Sequence, residues 1–164
     1  MNTTMGDWSS FFNAEVGAIA ALTGLIVVAV SINLTRILSF AHLPARAGES
    51  LVMLIGALLI ASFGLFPRQP VAAFGAETLV IGLVALAVAL QNLWRSRIPV
   101  EGVTRGKIFL RAFVNAIVVL PLVIGGALLL FGSMAGVYLV AVGILASLAA
   151  GVWGAWVLLV EILR

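Results

Sequence analysis

The sequence predicts an all-α protein, a polytopic bundle of five transmembrane helices with its N-terminus outside and its C-terminus inside. Hydrophobic residues make up 63% of the 164 residues and charged residues only 9%, whereas a soluble domain is about 25% charged. The mean hydropathy is +1.26. Nearly all of the chain is needed for membrane spans, so we expect one domain with any site built between helices or at their ends.

Five apolar segments and the breaks between them define the spans. The first segment, FFNAEVGAIAALTGLIVVAVSINLTR, would form a helix of roughly 39 Å, enough to cross a hydrocarbon core of about 30 Å. Pro67 and Pro70 bracket a tight turn. Pro121, followed by Gly125 and Gly126, predicts a kink or local unwinding, either a packing kink or a gate. The expected spans, within one domain of residues 1–164, are residues 11–38, 47–66, 71–94, 107–131 and 137–163.

The basic residues predict the orientation, because cytoplasmic loops carry an excess of Lys and Arg. If the N-terminus is outside, Arg68 is the only one of the nine basic residues on the outer side. The inner side then holds Arg36, Arg46, Arg95, Arg97, Arg105, Lys107, Arg111 and Arg164.

Two spans carry a carboxylate near the outer end and an amide near the inner end. Glu15 and Asn33 lie roughly five helical turns apart and share one face. Glu77 and Asn92 repeat this layout in the third span, either as a parallel internal repeat or as a chance match between two apolar segments. These four residues predict an ion or substrate path. Alternatively, the two carboxylates only reach interfacial water.

A second set of polar residues gathers at the inner ends of the spans. Acids and bases of similar number at one depth favour a salt-bridged structural layer. The alternative is a vestibule for a small ion or an anionic headgroup. The layer consists of Arg36, Glu49, Arg111, Asn115 and Glu161.

Small residues form stripes on the first and fifth spans, where they would let another helix approach closely. Gly17 with Gly24, and Gly143 with Gly151, are therefore the predicted contacts of a homo-oligomer. Membrane lipids are the other expected partners. Nucleic acid is not expected, because the basic residues are dispersed among interfacial loops.

Several classes of chemistry have no support in the sequence. The chain has no cysteine and one histidine, which excludes disulfides, thiolate metal sites and a bis-His haem within one chain. Phosphate-loop, zinc-binding, nucleophile-elbow and potassium-filter motifs are also missing. We therefore expect neither an enzyme nor a metal site or cofactor.

Three short stretches carry a family resemblance: FNAEVGA and VSINL at the two ends of the first span, and VLLVEILR at the C-terminus. They resemble a group of small uncharacterised bacterial membrane proteins. This resemblance implies a multi-pass protein of the bacterial inner membrane. It implies no activity and assigns no functional residue.

Two functions from different classes fit these observations. The first is a small homo-oligomeric ion channel or transporter, supported by the line from Glu15 to Asn33 and by the similar third span. The second is a non-transporting membrane protein that binds or regulates a partner protein or lipid. Apolar residues in the middle of both polar lines favour the second.

Overall fold

The computed structural model describes residues 5–39, 43–95 and 105–163, and every regular element in these ranges is helical. The all-α prediction is confirmed. A 3₁₀ turn at Met5–Trp8 precedes six helices in the described residues: α1 (Ser9–Ile32), α2 (Leu34–Leu38), α3 (Leu43–Phe63), α4 (Val71–Arg95), α5 (Arg105–Leu130) and α6 (Ala135–Leu163).

Three stretches of the described chain are long and apolar enough to cross a membrane. They are Met5–Ile32, Val71–Gln91 and Ala135–Trp156. The described apolar stretches Ala47–Phe63 and Ile117–Leu130 are shorter, between 10 and 17 residues. These lengths and compositions are compatible with a membrane protein.

Helices α3, α4, α5 and α6 form a ring in which each packs against the next, and α1 lies outside the ring against α3 and α6. Neighbours in the ring are antiparallel: Gly75 in α4 abuts Leu130 at the end of α5, and Gly154 late in α6 abuts Ser50 early in α3. One end, where α1, α4 and α6 begin, is called here the N-terminal end of the bundle; the other is the C-terminal end. The centre is filled by fully buried side chains, including Leu54, Ile60, Phe74, Leu122, Leu129 and Ile144.

The first helix ends earlier than the predicted span of residues 11–38. The Asn33 side chain donates a 2.9 Å hydrogen bond from Nδ2 to the Ala29 carbonyl oxygen. The backbone N–H of Asn33 donates to the same oxygen at 3.3 Å. An asparagine that hydrogen-bonds its own backbone competes with the helical ladder. The helix therefore breaks at Asn33, and α2 continues as a separate short helix.

The turn predicted at Pro67 to Pro70 is confirmed, because these residues lie between α3 and α4. Within this turn, Arg68 has a positive φ of 56°. At the end of α5, Gly132 has φ 81°. Its N–H donates to Leu129 O and the Ser133 N–H donates to Leu128 O, both at 2.9 Å. This Schellman motif ends the helix sharply, and α6 begins two residues later.

Of the two effects expected at Pro121, a kink or local unwinding, the unwinding is not seen, because α5 continues through this proline as one helix. The glycines after it have a different role. A Cβ at Gly125 would lie 2.8 Å from the Gly136 carbonyl oxygen of α6, and one at Gly126 would lie 2.7 Å from the Leu79 nitrogen of α4. Two successive glycines thus let α5 approach two helices at once.

Candidate functional site

The polar residues of the described chain lie in two regions, one near each end of the bundle, and Glu15 belongs to the N-terminal end. It lies on α1 between Phe12 and Ile19, which are both fully buried. The Glu15 carboxylate is half-buried. Its Oε2 atom is buried and has no hydrogen-bond partner among the described residues. A carboxylate placed in this way needs water, a proton or a cation.

A chain of aromatic side chains holds α1 in place beside Glu15. Trp8 contacts Tyr138 of α6, with ring centroids 4.8 Å apart. Phe12 reaches across Gly64, where a Cβ would lie 2.7 Å from the ring, and contacts Phe74 of α4 at 5.6 Å. The two edge-to-face contacts join the start of α1 to α6 and α4, and the Phe12 ring also packs on Gly64 just after α3.

The face from Glu15 to Asn33 is not a polar path inside this chain. Ile26, in the middle of this face, is 3% exposed and belongs to the core. The Asn33 amide is hydrogen-bonded to Ala29 of its own helix. Large apolar side chains therefore separate the two polar residues that the sequence places on one line.

The Glu77 carboxylate has a local partner that sequence reasoning missed. Gln69 Nε2, in the turn between α3 and α4, donates a 2.6 Å hydrogen bond to Glu77 Oε2. This bond ties the turn to the first half of α4. Asn92 lies in α4, but its side chain is outside the part of the chain that the structure describes.

At the C-terminal end, the structure brings together two of the five predicted inner-layer residues. Glu49 of α3 and Asn115 of α5 line one crevice, with α4 as its third wall. Arg36 is exposed on α2. Arg111 and Glu161 lie in α5 and α6, and their side chains are outside the described part.

Thr78 was not singled out from the sequence, yet it is fully buried in the ring. Its hydroxyl has no hydrogen-bond partner among the described residues, and neither has the partly buried Thr23 hydroxyl on α1. Thr78 lies one helical turn after the fully buried Phe74. That spacing is the signal in the sequence that places it on the buried face of α4.

The small-residue faces of α1 and α6 differ in what covers them. Gly143 packs against Leu122 of α5, and Gly151 packs against Leu54 of α3. The small-residue face of the fifth span could pack within the chain or between copies, and at these two glycines it packs within the chain. Around Gly17 and Gly24 a Cβ would meet nothing within 4 Å. The outward stripe of α1 consists of Gly17, Ala21, Gly24, Val28 and Ser31, all exposed, and Thr35 is exposed on α2.

Comparison of the chain with protein-family models, with curated proteins and with solved structures finds no match. Any function must therefore be inferred from the chain's own residues. Three features are available: the half-buried Glu15 carboxylate on α1, the crevice between Glu49 and Asn115, and the small-residue face of α1 at Gly17 and Gly24.

Proposed function

We propose that this chain is a non-enzymatic, five-span protein of the bacterial inner membrane that binds a second copy of itself through the outward stripe of α1. In this proposal it regulates or anchors a membrane partner without transporting a solute. The observation that carries the proposal is that Gly17 and Gly24 have nothing within 4 Å of a Cβ position.

The two shorter apolar helices also fit a lipid environment, which supports five spans. Large apolar side chains are exposed on α3 at Ile55 and Leu59, and on α5 at Ile117, Leu120 and Ile124. Exposed aromatic residues lie near both ends, where headgroups would be. They are Phe66, Phe131 and Tyr138 near the N-terminal end, and Trp94, Trp153 and Trp156 near the C-terminal end.

The spacing of these aromatic residues matches a bilayer. Tyr138 and Trp156 are separated by roughly 27 Å along α6 at 1.5 Å per residue, close to the hydrocarbon thickness of about 30 Å. The excess of Lys and Arg at the C-terminal end then favours an N-terminus outside and a C-terminus inside.

The packed centre of the ring favours a non-transporting role. Leu54, Phe74, Leu122 and Ile144 are at most 3% exposed, and they occupy the space between the helices. A path for an ion or solute needs polar lining or water. Among the described residues, the middle of the ring is mainly apolar. Its buried polar side chains are two hydroxyls, Thr78 and Ser147, and Ser147 donates its hydrogen bond to Gly143 O of its own helix.

Most of the described glycines in the ring helices pack against another helix, with Gly48 of α3 as the exception, whereas the glycines of α1 do not. This difference supports a helix partner. Gly56, Gly75, Gly82, Gly125, Gly126, Gly136, Gly143, Gly151 and Gly154 each have a close neighbour from another helix. A glycine inside a helix costs about 1 kcal/mol relative to alanine. Gly17 and Gly24 have no offsetting contact with the part of the chain that the structure describes, and a second α1 on the same stripe would supply one.

Cysteine cross-linking in membranes tests this proposal without interference, because the chain has no natural cysteine. A cysteine at Gly24 should form a disulfide-linked dimer on oxidation, whereas one at the lipid-facing control Leu83 should not. Gly17→Leu should then reduce cross-linking at position 24. Equal cross-linking at both sites, or a monomer in nanodiscs, would contradict the proposal.

A channel or transporter is the second candidate, and the buried, unpaired Glu15 Oε2 favours it. Purified protein in liposomes should then conduct a cation. Both Glu15→Gln and Glu15→Ala should reduce the flux, since both remove the charge. Under the first proposal no flux is expected, and Glu15→Ala alone should lower thermal stability, by about 1 to 3 kcal/mol, if Glu15 accepts a hydrogen bond from water.

A further inference from the structure

A crevice between α3, α4 and α5 lies in the half of the ring near the C-terminal end. Its volume is about 10 Å³. This is close to the roughly 10 to 15 Å³ at which a cavity begins to hold one water molecule. The walls are formed by Glu49, Val52 and Met53 of α3, Ala85, Val88 and Ala89 of α4, and Asn115 of α5.

The sequence explains why space remains here. Ala85 and Ala89 lie one helical turn apart on the same face of α4, and both line the crevice with only a methyl group. One turn earlier on α4, no such space remains between α4 and α5. There a Cβ at Gly82 would lie 3.0 Å from Val123 Cγ2 of α5.

We infer that this crevice binds a single water molecule that hydrogen-bonds both Glu49 and Asn115. A buried water needs two to four polar partners, and even much larger cavities stay dry when their lining is apolar. The Glu49 carboxylate has two acceptor oxygens, so it can accept from water in addition to the interaction that it already makes. The Asn115 amide can both donate and accept.

The position of this water gives it a structural role. Glu49 belongs to α3 and Asn115 to α5, which lie diagonally across the ring rather than side by side. The water therefore connects two helices that have no extensive direct packing. It holds the C-terminal half of the ring together where short alanine side chains leave a gap.

Water-edited solid-state NMR on the full chain in nanodiscs tests the inference. With asparagine side chains labelled, magnetisation should pass from water to the Asn115 amide group, whose signal is assigned with Asn115→Gln. Ala85→Val adds two methyl groups in the crevice and should abolish the transfer. The matched control Ala87→Val changes an exposed position of the same helix and should leave the transfer unchanged.

Two results would overturn the inference: no transfer to Asn115 in the wild type, or undiminished transfer in an Ala85→Val protein whose backbone spectrum is native. If Ala85→Val does not fold, Ala89→Val fills the same crevice from the next turn of α4 and is judged by the same criterion. Neither result depends on self-association or on ion flux, so the inference is tested separately from the proposed function.

Discussion

The two ends of the bundle differ in the small side chains with which α4 meets its neighbours. Near the N-terminal end, Gly75 and Gly126 bring the backbones of α4 and α5 into direct contact. Toward the C-terminal end, α4 carries Ala85 and Ala89 instead, and the crevice with Glu49 and Asn115 opens between three helices. Glycine lets the two backbones touch, whereas the methyl groups of Ala85 and Ala89 keep the helices apart without filling the space between them. The second arrangement leaves room for a polar group.

The aromatic chain makes the N-terminal end tighter still. Trp8, Phe12, Phe74 and Tyr138 connect α1 with α3, α4 and α6 at this end. In the half of the bundle near the C-terminal end, the last buried residue of α1 is Ile26. The helix ends six residues later at Ile32, just before Asn33. We therefore expect substitutions at the N-terminal end to cost more than comparable substitutions near the crevice.

The largest effect is expected for Phe12→Ala. The Phe12 ring is fully buried against Gly64 and Phe74, and removing such a ring costs about 3 to 5 kcal/mol. Thermal unfolding in detergent should show a large drop in the melting temperature. Phe131→Ala is the control, because this ring is 86% exposed and its loss should hardly change stability. Similar drops for both variants would contradict the tight N-terminal end.

Adding the same side chain to α5 and to α4 compares the two ends directly. Gly126→Val should destabilise by about 1 to 3 kcal/mol or prevent folding, since even a Cβ would lie 2.7 Å from the Leu79 backbone nitrogen. Ala85→Val should cost less, because the crevice accepts part of the added volume. Denaturant or thermal titration measures both. A larger loss for Ala85→Val would reverse the comparison.

A smaller effect is expected for Gln69→Ala, which removes the donor to Glu77 Oε2. Hydrogen bonds to charged groups contribute about 1.5 to 3 kcal/mol, and partial exposure of both side chains places this one toward the lower value. Combining it with Glu77→Ala in a double-mutant cycle isolates the pair. If the two single losses simply add, the hydrogen bond contributes nothing to stability.

Much of the helix layout follows from the sequence, because apolar length, prolines and Gly132 act locally. The predicted third and fifth spans, residues 71–94 and 137–163, differ by at most two residues at either end from α4 and α6. The break at Asn33 depends on which hydrogen bond one side chain makes, and composition does not reveal that. The same holds for Glu77, whose partner Gln69 lies in the turn.

The candidate site was harder to predict, since a helical wheel shows which residues share a face but not what covers that face. It placed Glu15 and Asn33 on one line, but Ile26 on that line is in the core. The helical wheel also predicted both Gly17 and Gly143 as contacts between copies, although Leu122 packs on Gly143 and not on Gly17. Which helices become neighbours is decided by packing of the whole ring, and no single segment encodes it.

The position of α1 outside the ring has a consequence for how the protein is made. Among the described helices, α1 is made before its partner α3, and α6 is made last. Only 11% of the α1 stretch is buried, against 44% of the α6 stretch, and its side chains are apolar enough for lipid to solvate it alone. The ring can close only once α6 has been made, and α1 is long and apolar enough to cross a membrane without the ring.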